Sequence, residues 1–148
     1  IYGFDTDYGY RLNEDWRVEG VVSTVRAERR DIDDNLYRVS PDKVSMSLVY
    51  DQTAWSATLE TVLVSRQQHV SDTNSEAETG GYGLLNFYGT LRVNPRIAFS
   101  AGLENVLDKK YVSHLTGYNR VGNSDVPLGA RIPGVGRNLH LQIHVSGI

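Results

Sequence analysis

The side chains best suited to chemistry gather in the longest polar stretch of the chain, residues 107–136, which carries His114, Tyr118, Asn119, Arg120, Asp125 and Arg131 among several glycines. Long loops on a rigid scaffold are where binding residues collect. Arg120 and Arg131 could pair with carboxylate or catecholate oxygens, and Tyr118 could stack on a ring. The six residues are therefore candidate ligand contacts, with pairing among the loops themselves as the plainer use of the same groups. His140, Gln142 and His144 suggest a metal, yet positions four apart on a strand lie about 13 Å from each other, too far to share an ion. Asp31, Asp33, Asp34 and Asn35 supply hard oxygens without the spacing of a calcium loop. Gly134-Val135-Gly136 leads into a strand pattern rather than a helix, which removes the nucleotide reading. Ser, Asp and four His residues are present, but no nucleophile elbow or paired-His motif singles any of them out. The expectation is no metal site, no cofactor and no enzyme activity.

Those residues sit in a chain of 148 positions, 40% of them hydrophobic, with 15 Lys and Arg against 18 Asp and Glu. One domain is the natural reading of that length. The near-balanced charge, free of long like-charge runs, leaves no footprint for nucleic acid. With no cysteine there is no disulfide framework, thiol nucleophile or Cys-based zinc site. No window approaches the roughly 20 apolar residues of a membrane helix, and IYGFDTDYGY lacks the regions of a signal peptide. Starting at Ile1, inside a strand pattern, the chain reads as a piece of a longer one.

The period is two, which marks strands. Tyr2, Phe4, Thr6, Tyr8 and Tyr10 share one face and Gly3, Asp5, Asp7 and Gly9 the other. The same alternation runs through Trp16–Thr24, Val44–Tyr50, Trp55–Leu63, Leu85–Val93, Ile97–Leu103 and Leu139–Val145, giving seven strands. Val62 and Val64 dilute the polar face of the fourth. Connections alternate in length: 11–15, 51–54 and 94–96 are short, whereas 30–42, 67–80 and 107–136 are long. Such a meander has its tight turns at one edge and its long loops at the other, as outer-membrane barrels do. Tyr10 with Trp16, and Tyr50 with Trp55, flank two of the three short turns, where an aromatic girdle at a membrane interface would fall.

Gly102-Leu103-Glu104-Asn105-Val106-Leu107-Asp108-Lys109-Lys110-Tyr111 resembles the G-V-E-N-L-F-D-K-x-Y signature near the end of TonB-dependent outer-membrane receptors. Gly81-Tyr82-Gly83-Leu84-Leu85-Asn86 is similar to the family's P-G-Y-x-L-L-N. Tyr37-Arg38-Val39-Ser40-Pro41 is similar to its Y-R-I-x-P, and Ile132-Pro133-Gly134-Val135-Gly136-Arg137-Asn138 to its L-P-x-P-G-R-x. Together these span most of residues 37–145 in family order. Leu107 stands for the usual Phe, and Ser146-Gly147-Ile148 for the usual closing aromatic. Read physically, the signature is a strand-exit device: Asn105 and Asp108 bond local backbone and Tyr111 returns its ring to the interface.

The resemblance implies an all-β fold of antiparallel up-and-down strands. Residues 1–148 would form the C-terminal segment of a 22-stranded transmembrane β-barrel, with the plug domain outside the segment. It implies the outer membrane of a Gram-negative bacterium and active uptake of a scarce ligand, an iron chelate such as a siderophore complex or a related metal complex or vitamin. The implied partners are outer-membrane lipid, the chain's own N-terminal plug, TonB through the full-length receptor, and the iron-chelate-like ligand. A soluble ligand-binding β-barrel or sandwich, its apolar faces turned into a core, is the rival; a passive porin would share the barrel without the motifs.

Overall fold

The computed structural model describes residues 1–146 and places them in one seven-stranded sheet. The strands are β1 (Tyr2–Arg11), β2 (Trp16–Arg26), β3 (Lys43–Asp51), β4 (Trp55–Val64), β5 (Tyr82–Asn94), β6 (Ile97–Glu104) and β7 (Asn138–Val145). Each pairs antiparallel with its sequence neighbour, in the order β1 to β7. The tight turns use local side-chain chemistry. Asn13 Oδ1 accepts from the Asp15 and Trp16 amides (3.0 and 2.9 Å), and Asn94 Oδ1 accepts from the Arg96 and Ile97 amides (2.9 and 3.0 Å). The closing Gly147-Ile148 of the sequence lies outside the described residues.

Register carries the alternation of each strand across the whole sheet. Val18, Leu48, Leu59, Phe87, Leu103 and Leu139 form one continuous cross-strand row on the apolar face. Gly9, Glu19, Ser47, Glu60 and Asn86 form a row on the other. At the turn edge Trp16, Tyr50 and Trp55 pack across three strands, with ring centroids 4.7 and 4.9 Å apart and the rings tilted by 54° and 45°. Gly20 is needed where it stands: a Cβ there would run into the Tyr8 ring that crosses it from β1. The apolar face is uncovered. Leu141 is 75% exposed, and among the hydrophobic residues described only Ala27 and Val49 are fully buried. The fold is an open sheet with two unlike faces, rather than a sandwich closed on an interior core.

Burial concentrates instead in the long loops, around polar groups. Glu76 and His114 have fully buried side chains, with Glu76 Oε1 3.1 Å from His114 Nε2. The same carboxylate accepts the Arg38 amide through Oε1 and the Ser71 amide through Oε2, each at 3.0 Å. Thr79 Oγ1 lies 3.0 Å from His114 Nδ1. Gln67 Nε2 donates to the Val39 carbonyl at 2.9 Å, and the Arg38 guanidinium reaches the Leu115 carbonyl. One carboxylate thus ties the loops 27–42, 65–81 and 105–137 into a knot. Every buried polar group in such a knot must be satisfied, because a loose one costs its full desolvation.

Desolvation by burial depresses the His114 pKa, opposed by the nearby Glu76 charge and reinforced by Arg131 and Arg38. A histidine held neutral in the fold contributes stability that is complete above its ordinary pKa of about 6.5 and lost as pH falls through and below it. The loop 65–81 of the full-length protein should therefore be cut faster by protease at pH 5 than at pH 7.5, and His114→Gln should abolish that pH dependence. Equal protection at both pH values in the unsubstituted protein would show that the knot does not titrate.

Candidate functional site

The site lies at the loop edge, where the strands β5, β6 and β7 end or begin. Asn105 leaves β6 with φ 48° and Asp108 follows at φ 51°, left-handed conformations that Asn and Asp tolerate better than most residues. The Asn105 side chain accepts the Lys109 amide (2.8 Å) and donates to the carbonyls of Lys109 (2.9 Å) and Val135 (3.2 Å). Its own amide reaches Asn86 Oδ1 on β5 at 2.9 Å. Asp108 Oδ1 accepts the Arg137 amide at 2.8 Å, and the Gly134 amide donates to the Tyr111 carbonyl at 2.8 Å. A side chain at Gly134 would occupy the space of the Tyr111 ring. The motifs Leu103–Tyr111 and Ile132–Asn138 therefore interlock as a clamp. Tyr111 closes it, packed on Tyr82 with centroids 4.4 Å apart and the rings tilted by 35°.

Against this clamp opens a cleft of about 690 Å³, between the loop ahead of β5 and the loop that follows β6. Tyr82, Tyr111 and Tyr118 stand in its wall, with Lys109, Lys110 and Arg131 beside them. Arg131 lies over the Tyr118 ring, its guanidinium carbon 4.8 Å from the centroid. It is held there by the His114 carbonyl on one nitrogen and the Ala77 carbonyl on the other (3.1 Å), while its Nε is buried without a partner. Lys109 and Lys110 are exposed, and neither makes an ion pair among the described residues.

The six sequence candidates thus divide. Tyr118 and Arg131 line the cleft as a stacked pair. His114 sits in the loop knot with both ring nitrogens engaged. Asn119 is buried and donates to the carbonyls of Val121 and Val126 at 2.9 and 2.6 Å, shaping its own loop. Arg120 and Asp125 are exposed at the tip, outside the cleft. Sequence reasoning missed Tyr82, Lys109 and Lys110. The adjacent cations inside the signature were a usable signal, but the contact of Tyr82 with Tyr111 had none.

The acidic loop is internally consumed. Asp34 accepts Ser71 Oγ and the amides of Asp72 and Thr73 at 2.9 to 3.1 Å, and hydrogen bonds led by Thr73 hold its carboxyl well below the usual range. Asp31 pairs with Arg29. Arg26 grips Asp42 through both nitrogens (2.7 and 2.8 Å) and, with Thr24, holds that carboxyl at about 2. His140 and His144 fall in separate cross-strand rows, opposite Gly102 and Ala98. On the polar face Tyr88 Oη bridges Glu60 (3.5 Å) and Glu104 (3.4 Å), and Asn86 Nδ2 donates to Glu60 at 2.7 Å.

No protein-family model and no curated protein matches the sequence. Solved structures do. The copper transporter OprC superposes with a TM-score of 0.89 at 20% identity, over 97% of this chain and 23% of that one. A mutant of the ferric enterobactin receptor PfeA from Pseudomonas aeruginosa gives a TM-score of 0.71 at 16% identity, over 97% of this chain and 22% of that one. The chain therefore spans less than a quarter of either neighbour. This chain has the fold of a seven-stranded, antiparallel part of those two larger proteins.

Proposed function

We propose that the chain is the C-terminal barrel segment of an outer-membrane receptor that takes up a scarce ligand by TonB-dependent active transport. The observation that carries this reading is the register: seven strands keep one apolar and one polar face, with a single shift at Arg92 to Asn94 beside a turn among the described residues, short turns at one edge and knotted loops at the other. The apolar face then meets lipid, and the Trp16, Tyr50 and Trp55 cluster marks the interface at the turn rim. The fold likeness and the motifs around Asn105 and Gly134 support the same reading.

In this reading the polar face lines the barrel and meets the plug, a domain supplied by the rest of the protein. Glu60 and Glu104, bridged by Tyr88, offer that plug an acidic wall, while Arg17 is neutralised by Glu19 (2.5 Å) and Asp51 (3.5 Å). The loops face the outside and TonB acts from the turn side. The transported ligand is a metal complex, a siderophore-bound iron or a related chelate. The two structural neighbours are named for copper, a metal, and for ferric enterobactin, a metal chelate. Tyr118 and Arg131 are the loop candidates best placed to touch it, and Arg120 and Asp125 are exposed for first encounter. The chain carries no enzymatic step in this reading.

Orientation is tested by single cysteines in the full-length receptor. A membrane-impermeant maleimide applied to intact cells should label Asn123→Cys at a loop tip and leave Thr53→Cys at a turn untouched; labelling of the turn alone, or of neither site, would overturn the proposal. Facing is tested within one strand. Leu141→Arg should cost about 2 to 4 kcal/mol of folding free energy if the residue lies near the bilayer midplane, and Gln142→Arg far less. Urea unfolding of the receptor in lipid reads the difference, and equal tolerance at both positions would favour a soluble protein whose apolar face is covered by other protein.

A further inference from the structure

We propose that the pocket at the turn edge, between the 51–54 turn, the 94–96 turn and the end of β7, is a binding site for a tetrahedral oxyanion, a phosphate either free or in ester linkage. It lies at the opposite edge of the sheet from the ligand loops and goes beyond the receptor reading. Arg92, Ala98 and His144 form one cross-strand row on the polar face, and Arg96, Thr53 and Ser146 complete the polar lining used here. Backbone hydrogen bonds tie the three elements together at this point. The Arg92 amide donates to the Ala54 carbonyl at 2.7 Å, and the Ser146 amide to the Arg96 carbonyl at 2.8 Å. The Asn94 side chain is spent on the Arg96 and Ile97 amides, so it fixes the turn without competing for a ligand.

Charge selects an anion. The lining brings Arg92, Arg96 and His144 together and holds no carboxylate among the described residues. Arg92 is steadied by the Gln52 carbonyl at 3.0 Å and meets Asp51 only at 3.4 Å, on a carboxylate shared with Arg17 at 3.5 Å. Arg17 in turn pairs with Glu19, and Arg96 makes no ion pair among the described residues. Setting Arg17, Arg92 and Arg96 against Glu19 and Asp51 leaves one positive charge, carried at the pocket. Geometry selects the tetrahedral class. A carboxylate offers two oxygens in one plane and suits a single guanidinium fork, whereas a phosphate turns oxygens toward several donors at once. Here the donors stand on separate elements: two guanidiniums, the Thr53 hydroxyl, and the His144 ring with Ser146 Oγ 3.4 Å from its Nε2. A volume of about 430 Å³ exceeds what a bare ion fills and leaves room for an ester substituent.

The test is equilibrium dialysis of the full-length protein in detergent against radiolabelled orthophosphate, glycerol 3-phosphate and acetate. Orthophosphate should bind more tightly than acetate, and added sodium chloride should weaken it. Arg96→Gln should raise the orthophosphate Kd about tenfold. The turn uses the Arg96 backbone rather than its guanidinium, so this variant keeps the fold. Arg92→Gln should act in the same direction. Arg11→Gln removes an exposed cation from the same edge of the sheet outside the pocket and should leave the Kd within about twofold, a change of roughly 0.4 kcal/mol. Tighter binding of glycerol 3-phosphate than of orthophosphate would assign the site to a phosphate ester such as a lipid headgroup, and the reverse order to the free ion. An unchanged Kd in Arg96→Gln, an equal loss in Arg11→Gln, or acetate binding as well as orthophosphate would overturn the proposal. The assay reads binding alone, so its outcome is independent of the maleimide labelling that tests the receptor reading.

Discussion

A strand has two sides, and its backbone hydrogen bonds point sideways into its neighbours. A slip of one residue at any pair therefore turns every side chain on that strand to the opposite face. Across β1 to β7 six pairings hold the same parity, so Phe87 meets Leu59 and Leu103 while Glu60 meets Ser47 and Asn86. The rest depends on this. Among the described residues the one register shift, at Arg92 to Asn94, falls where the chain is already turning toward β6, so the facing of β6 and β7 survives it. A sheet with one apolar face and no layer over it needs an apolar surround, whether lipid or protein, before it is a stable object.

Order at the loop edge comes from a different source. Loops of this length have many conformations to lose on folding. Here they are fixed by two devices of unlike chemistry. The clamp uses backbone partners: Asn105 reaches the amide and carbonyl of Lys109 and the carbonyl of Val135, and Asp108 reaches the amide of Arg137. The knot uses one buried carboxylate, Glu76, that three loops share through Arg38, Ser71 and His114. The cleft lies between the devices: Tyr111 belongs to the clamp, and Arg131 holds the carbonyl of His114 from the knot. Two anchored walls make it a preformed cavity rather than a gap between wandering loops.

That division explains what could be read from the sequence. Strand existence, facing and the rhythm of turns and loops are local properties of period two and of residues such as Asn13 and Asn94, so alternation alone recovers them. The clamp was legible as a motif, because Asn105, Asp108 and Gly134 have backbone roles that few side chains can fill. The knot was not. Nothing near Glu76 marks it as buried, since beside the local Ser71 amide its partners come from 38 residues away on either side, at Arg38 and His114. Residue type also misled in degree: His114 attracts attention as a ligand, whereas the geometry engages both its nitrogens and leaves the plainer Lys109 and Lys110 open to a ligand.

Strand count supplies a further constraint. With seven strands in strict alternation, β1 and β7 run in the same direction, so joining them directly would force a parallel pair into an otherwise antiparallel sheet. Exposed edges of this kind template further pairing. Closure into an antiparallel barrel thus requires an odd number of additional strands between β7 and β1. A total of 22, as the motif resemblance implies, meets that condition. Rings of copies that all run in the same direction do not close that way, because every junction between such copies would repeat the same parallel pair. The parity of the sheet thus sets the terms on which its two edges could be joined antiparallel: through an odd number of further strands, with the same alternation of faces carried across each new pair.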